Sequence, residues 1–217
     1  MGPHHARRRD PSLLLVTDRS AWGELVGRFA RTAGAAVSYV LWEHGDPVTQ
    51  DPLGGWEGDW IVGFKADYVL SDDDLKRARR GAVNFHPGPP DIRGVGMYEV
   101  ALARSADTFG VTCHHMVERV DAGPIIEVER FPVPPRATTD ALREEAAARA
   151  YLLYLRLMPL VLEGADLPVS TERWRGPLHT WAQLRSRSWP DVRDVGDARG
   201  VKDVRDVQDE DVKGMKG

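Results

Sequence analysis

The chain carries a single cysteine, Cys113, among 217 residues. One thiol excludes an intrachain disulfide framework and a cysteine-rich zinc site, and it points weakly to a reducing, cytoplasmic setting. No apolar run approaches the ~20 residues needed to cross a bilayer, so no membrane partner is expected. Residues 1–11 contain three arginines, but the apolar stretch that follows, Leu13–Val16, is too short for a signal-peptide core and reads as a strand after a flexible N-terminus. An excess of positive charge is also lacking. The formal net charge is −4 and the pI about 6.0, which gives no general attraction to phosphate backbones and disfavours a nucleic-acid partner. What the chain does have is 42% apolar and 29% charged residues, the balance of a globular domain with a full core.

Short apolar runs alternate with helical patterns. Strands are predicted at Leu13–Val16, Ala36–Trp42, Asp59–Phe64 and Ala82–His86. A helix is predicted from the Ser20 cap to Arg31, with Trp22, Leu25, Val26 and Phe29 on one face. A second opens at Ser71, whose acidic first turn suits the helix dipole, and is expected to reach Arg80 and stop at Gly81. Gly96–Ala103 reads as helix, Phe109–Met116 and Pro124–Val133 as strands. The longest helix is expected from Thr138 to about Gly164, with Pro159 kinking it or ending its regular hydrogen bonding. This alternation predicts an α/β three-layer sandwich on a mostly parallel, Rossmann-like sheet. Residues 12–165 form the expected domain and 166–189 an extension. In residues 190–217 repeated Asp-Val pairs carry no aromatic residue, which predicts a low-complexity, disordered tail.

The chemistry concentrates in residues 82–131. Asn84 and His86 end a strand before Pro87, His114 and His115 end another, and Asp121 opens the turn Asp-Ala-Gly-Pro. Parallel α/β sheets build their sites at such junctions, outside the carboxyl ends of strands. Residues i and i+2 of a strand share a face ~7 Å apart, so Asn84 and His86 project together. An amide, an imidazole and a carboxylate can donate to a developing oxyanion, protonate it and set the imidazole's charge, with Asp121 raising the pKa of His86. Taken one at a time, Asn84 and Asp121 also read as turn formers and His86 as a satisfied half-buried histidine. His114 and His115 point to opposite faces and are not expected to chelate one metal ion; Cys113 shares the face of His115 and reads as packed rather than reactive.

Three segments, Asn84-Phe-His86-Pro87, Gly110-Val-Thr112-Cys-His114 and Asp121-Ala-Gly123-Pro-Ile125, resemble in order and separation the motifs of the folate-dependent formyltransferase family. The likeness spans about residues 12–165. It implies a one-carbon group transferase with 10-formyltetrahydrofolate as co-substrate and no metal. Asn84, His86 and Asp121 would be its catalytic set, with His114 facing the site to orient the substrate or Asp121. The resemblance implies a folate slot between Phe64, Lys65, Ala66, Asp67 and Tyr68 on one side and Val117, Glu118 and Val120 on the other. Arg93 and Gly94 are substrate-side candidates; Arg93 could bind the acceptor, a carboxylate of the folate tail, or only solvent.

Three departures shape the expected acceptor. The segment after His86 is one residue shorter than the family form and lacks its serine. The first strand–helix turn, Thr17-Asp18-Arg19-Ser20, lacks the glycines with which glycinamide ribonucleotide formyltransferases wrap a phosphate. The chain also ends soon after the long helix, where enzymes that formylate methionyl-tRNA continue into a tRNA-binding domain. The expected acceptor is therefore the amine of a small molecule or of a (nucleotide-linked) amino sugar. Hydrolysis of 10-formyltetrahydrofolate, a glycinamide ribonucleotide transferase and a non-catalytic folate-binding module are the alternatives. A homodimer is allowed by the likeness to sugar formyltransferases. The loop at 43–58, with Trp42, Trp56 and Trp60 nearby, reads as packing or as a wall of the acceptor pocket.

Overall fold

The computed structural model describes residues 10–186; the expectations for residues 1–9 and 187–217 lie outside the described residues. The fold is built on a six-stranded sheet. In chain order its strands are β1 (Ser12–Thr17), β2 (Ala36–Leu41), β3 (Gly58–Phe64), β4 (Ala78–His86), and then, beyond the short strand β5 (Arg93–Gly94), β6 (Thr108–His115) and β7 (Ile125–Pro132). Their spatial order is β2-β1-β3-β4-β6-β7. The first four run parallel, and β6 returns antiparallel to both β4 and β7. Leu13, Leu14, Leu15 and Val16 are all at most 1% exposed, as expected for a central strand covered on both faces.

Two helices cover one face: α1 (Ala21–Thr32) and α4 (Thr139–Glu163). A third, α3 (Met97–Ala103), packs beside α4. Tyr154 of α4 is fully buried against Phe29, Phe64 and Phe85, and its hydroxyl donates to the Val26 carbonyl at 3.0 Å. Each such aromatic contributes roughly 1.5–3 kcal/mol by burial. The other face is covered by the loop of residues 42–57 and by α2 (Asp72–Leu75), with Leu14, Val16, Val40, Leu53, Ile61 and Leu70 beneath. Trp42 and Trp60 are buried, and Trp56 packs on this smaller core; these tryptophans are packing.

Two expectations of local structure are corrected. The Ser71–Asp74 capping box forms, but the helix ends at Leu75 rather than Arg80. Strand pairing wins: Ala78 pairs with Gly58, and Arg79 reaches Asp59 at 3.0 Å. Gly81 is then no helix stop. It sits at φ +138° inside β4, where the register against β3 shifts and where a side chain would press on Trp60. The long helix runs through Pro159 to Glu163 because Leu157, Met158, Val161 and Leu162 around it are buried, and packing offsets the missing hydrogen bond. It stops at Gly164 in the left-handed conformation.

Beyond α4 the chain turns back across the sheet's end. Residues 165–177 lead into β8 (Leu178–His179) and α5 (Trp181–Ser186), and β8 pairs in parallel with β5.

Candidate active site

The carboxyl ends of β3 and β4 and the end of β6 open into one cleft of about 970 Å³, its mouth included. Its floor holds Asn84, His86, His114 and Asp121; one wall is Lys65–Leu70, the facing wall Met116–Asp121, and a third comprises Gly94, Val95, Met97 and His179–Trp181.

Register brings the floor together. Asn84 lies opposite His114 across the antiparallel β4–β6 ladder. The Asn84 amide Nδ2 is 3.3 Å from His114 Nε2. His114 Nδ1 donates to its neighbour's carbonyl, His115 O, at 2.9 Å. That bond keeps a proton on Nδ1, while Nε2 lies within reach of both the Asn84 amide and the Asp121 carboxylate. Asn84 Oδ1 is buried without a hydrogen-bond partner, a valence that a bound molecule can fill.

Asp121 arrives from the β6–β7 connection with a left-handed backbone, φ +45°, a conformation that costs a non-glycine residue of order 1 kcal/mol or more. Three donors hold it there. The Gly94 N–H donates to Asp121 Oδ2 at 2.7 Å, and the Arg93 guanidinium donates to the carbonyls of Asp121 and Val120 at 2.8 and 2.9 Å. Its oxygens lie 3.7 Å from His86 Nδ1 and 3.5 Å from His114 Nε2. Burial alone would push this carboxyl upward; the two imidazoles and the Gly94 N–H outweigh it and hold the group far below the ordinary carboxylate range.

For His86 the balance differs from the sequence expectation. Burial lowers its pKa, and Asp121 pulls it back up without cancelling that effect; His114 and Arg93 push down and the Ile92 carbonyl pulls up. The net is a ring whose pKa is held below its ordinary value, because full burial removes more hydration than one carboxylate replaces. His86 Nε2 sits 3.4 Å from the Ile92 carbonyl, a long contact that leaves this N–H available to a better acceptor. Glycines clear the space around both polar side chains. A Cβ on Gly88 would lie 2.6 Å from His86 Nε2, and one on Gly63 would lie 2.5 Å from Asn84 Oδ1.

Of the slot residues expected from sequence, Lys65, Ala66, Asp67, Tyr68, Val117, Glu118 and Val120 line the two facing walls. Phe64 does not. It is fully buried and packs against Phe85 and Tyr154, since its strand position points into the main core. Arg93 likewise has its guanidinium committed to the carbonyls of the Asp121 turn, whereas Gly94 lines the cleft. At the first strand–helix turn the Asp18 carboxylate accepts from the Ser20 N–H and hydroxyl and from Lys65 Nζ at 3.1 Å. The sequence reading named Gly94 and missed the rest of the third wall. His179, Thr180 and Trp181 come from the segment after α4, and the only signal there is a clustering of Trp174, His179 and Trp181 in an otherwise polar stretch.

Comparison with known proteins gives the family. The sequence model described as formyl transferase matches residues 35–158, more than half of the chain. The chain belongs to the formyl transferase family. A methionyl-tRNA formyltransferase from Bacillus mycoides is 25% identical over 155 residues, covering 66% of this chain and 49% of that protein. This family member thus spans about half the length of the curated relatives it matches. Among solved structures, a 4-N formyltransferase from Francisella tularensis superposes with a TM-score of 0.64 at 15% identity, over 87% of this chain and 84% of that one. The formyltransferase PseJ from Anoxybacillus kamchatkensis, solved with UDP-4,6-dideoxy-4-formamido-L-AltNAc and tetrahydrofolate, gives 0.63 at 17% identity, over 81% and 88%. These likenesses are of fold: a mostly parallel six-stranded formyltransferase sheet with helices.

Proposed function

We propose that this formyl transferase moves a formyl group from 10-formyltetrahydrofolate to the amine of a small molecule or of a nucleotide-linked amino sugar. The observation that carries the reading is the convergence of Asn84, His86 and Asp121 on one floor between two loop walls. The unmatched Asn84 Oδ1 and the open cleft fit a bound donor there. That donor supplies an activated one-carbon unit at the formyl oxidation level.

The residues divide the work as follows. Asn84 Nδ2, on rotation from His114, and His86 Nε2–H donate to the formyl oxygen as the amine attacks and negative charge develops there. A donor so aimed is worth about 3–4 kcal/mol. The attacking nitrogen sheds one proton, which the ionised Asp121 takes up directly or through one water. Collapse of the oxyanion breaks the bond to the folate nitrogen, which receives a proton, so the products are the formamide and tetrahydrofolate. His86 turns its Nδ1 toward Asp121 and can exchange a proton with it.

Two observations bear on the acceptor. The chain's own Asp18 carboxylate occupies the Ser20 donors where a phosphate would need them, which argues against a ribonucleotide phosphate bound at that turn. The UDP-4,6-dideoxy-4-formamido-L-AltNAc bound to PseJ, at a TM-score of 0.63, supports an amino sugar. The test is incubation with 10-formyltetrahydrofolate and a panel of amines, including nucleotide-linked amino sugars, with tetrahydrofolate and formate both measured. Tetrahydrofolate should form only when an acceptor is present and should stop with His86→Ala. Equal formate and tetrahydrofolate without any acceptor would make the protein a hydrolase instead.

A further inference from the structure

We infer that Trp174, from the segment beyond α4, is a positioning residue of the formyl-transfer centre: its indole backs both imidazoles and ties down the turn that carries Asp121. The inference rests on the proposed reading of the cleft and concerns a residue that stands outside the cleft wall.

Three contacts converge on this side chain. The Trp174 Nε1–H donates to the Gly123 carbonyl at 2.7 Å, two residues after Asp121. The ring stands perpendicular to His114, centroids 4.9 Å apart, and tilted by 69° to His86 at 6.0 Å. One side chain therefore touches both imidazoles that flank Asp121 and the turn that presents it.

The backbone around Trp174 is fastened to the same two segments. Ser170 N–H donates to the Ile125 carbonyl at 3.0 Å and Arg175 N–H to the Pro90 carbonyl at 2.8 Å. Further on, β8 pairs with β5, and Val95 N–H donates to the His179 carbonyl at 3.1 Å. The fit to β5 is close: a Cβ on Gly94 would lie 2.1 Å from the His179 carbonyl oxygen. Residues 87–95, which follow His86, and residues 121–125 are thus both stitched to this strap, with the indole between the stitches. A strap that served only to finish the fold would not need its one anchoring aromatic edge-on to two site histidines.

The chemistry follows from what the indole excludes. It covers the rear of both rings, and removing it opens them to water. The charged and polar groups facing His86 are Asp121, His114, Arg93 and the Ile92 carbonyl; none of them leaves with Trp174, so the change comes from hydration. Water at the ring raises the His86 pKa toward its ordinary value and loosens its alignment with Asp121.

The experiment compares the full-length protein with Trp174→Phe and Trp174→Ala. Imidazole titrations followed by NMR need no acceptor; steady-state kinetics use whichever acceptor the wild type turns over. In Trp174→Ala the His86 titration and the acid limb of kcat/KM should both move upward toward 6.5. Its kcat should drop about 10–100-fold while KM for the folate donor stays within about threefold. Trp174→Phe keeps a ring on the imidazoles but loses the Nε1 donor, so its titration should stay near wild type while kcat drops severalfold. Unmoved titrations in a folded Trp174→Ala, or a loss confined to KM, overturn the assignment. If Trp174→Ala does not fold, wild-type kcat in Trp174→Phe overturns it. Should the wild type turn over no acceptor, the function reading fails, and the imidazole titrations still decide the role of Trp174.

Discussion

Gly63→Ala tests the floor of the cleft without touching a polar group. Gly63 lies in β3, paired with Val16 on one side and Asn84 on the other, so alanine meets no backbone strain there. The new Cβ would stand 2.5 Å from Asn84 Oδ1 and 2.7 Å from Met116 Cε. The Met116 methyl is the free end of a flexible side chain and can swing aside. The Asn84 amide has to retreat by roughly 0.9 Å to regain an ordinary contact of 3.4 Å. A misplacement near 1 Å costs about 100-fold in rate, or roughly 2.7 kcal/mol of transition-state stabilisation. The effect on stability is partly offset. Replacing glycine stabilises by about 0.4–1 kcal/mol through the unfolded chain, against about 1–3 kcal/mol for crowding. The assay is tetrahydrofolate release with the acceptor found for the wild type, run beside thermal unfolding. The expected outcome is a kcat about two orders of magnitude lower with a melting temperature within a few degrees. Wild-type kcat in a folded Gly63→Ala would refute the claim that the Asn84 amide must sit where this glycine lets it.

Gly88→Ala makes the same test on His86, 2.6 Å from the added methyl, and should lower kcat with little change in folate binding by fluorescence titration. Asn84→Ala removes one donor and should cost about 10²–10³-fold in kcat; a loss below tenfold would deny Asn84 that role. Asp121→Asn removes the charge that raises the His86 pKa, so the acid limb of the pH–rate profile should shift to lower pH; an upward shift contradicts the assigned coupling. His86, His115 and His179 all have pKa values lowered by burial, so below 6.5 the unfolded chain binds more protons than the fold. Their contribution to stability is complete above 6.5 and declines as pH falls toward the folded values. The urea midpoint should accordingly be lower at pH 5.5 than at pH 7.5, and an equal or higher midpoint at pH 5.5 counts against these burials.

Much of the site was legible because its logic is local. The i, i+2 spacing of Asn84 and His86 needs only a strand, and a strand ending at Pro87 puts both at its carboxyl end. The α/β class was readable from alternating patterns, with β1 as the clearest case: an uninterrupted apolar run that ends up covered on both faces. Misreadings fell where tertiary contacts override local preference. Residues 78–80 carry helical signals, yet Gly58 and Asp59 recruit them into β4. Phe64 belongs by sequence to the loop motif, but strand parity turns it into the core. Asp121 was expected to raise the pKa of His86, and it does so; burial, which no spacing reveals, is the larger effect.

The β4–β6 pairing explains why the floor cannot be read from either strand alone. His114 reaches Asn84 because β6 runs back against β4 in one register, with Asn84 opposite His114 and His86 opposite Thr112. Thr112 then donates its hydroxyl to the Gly88 carbonyl at 2.8 Å, which anchors the turn following His86. A slip of one residue would carry His114 to the face now held by Cys113 and break that anchor together with the Asn84 contact. The slip is opposed by the fully buried Val111 and Cys113 on the opposite face of β6. The apolar core therefore fixes the polar site: burial of alternate residues on one side of this strand determines which imidazole meets the amide on the other.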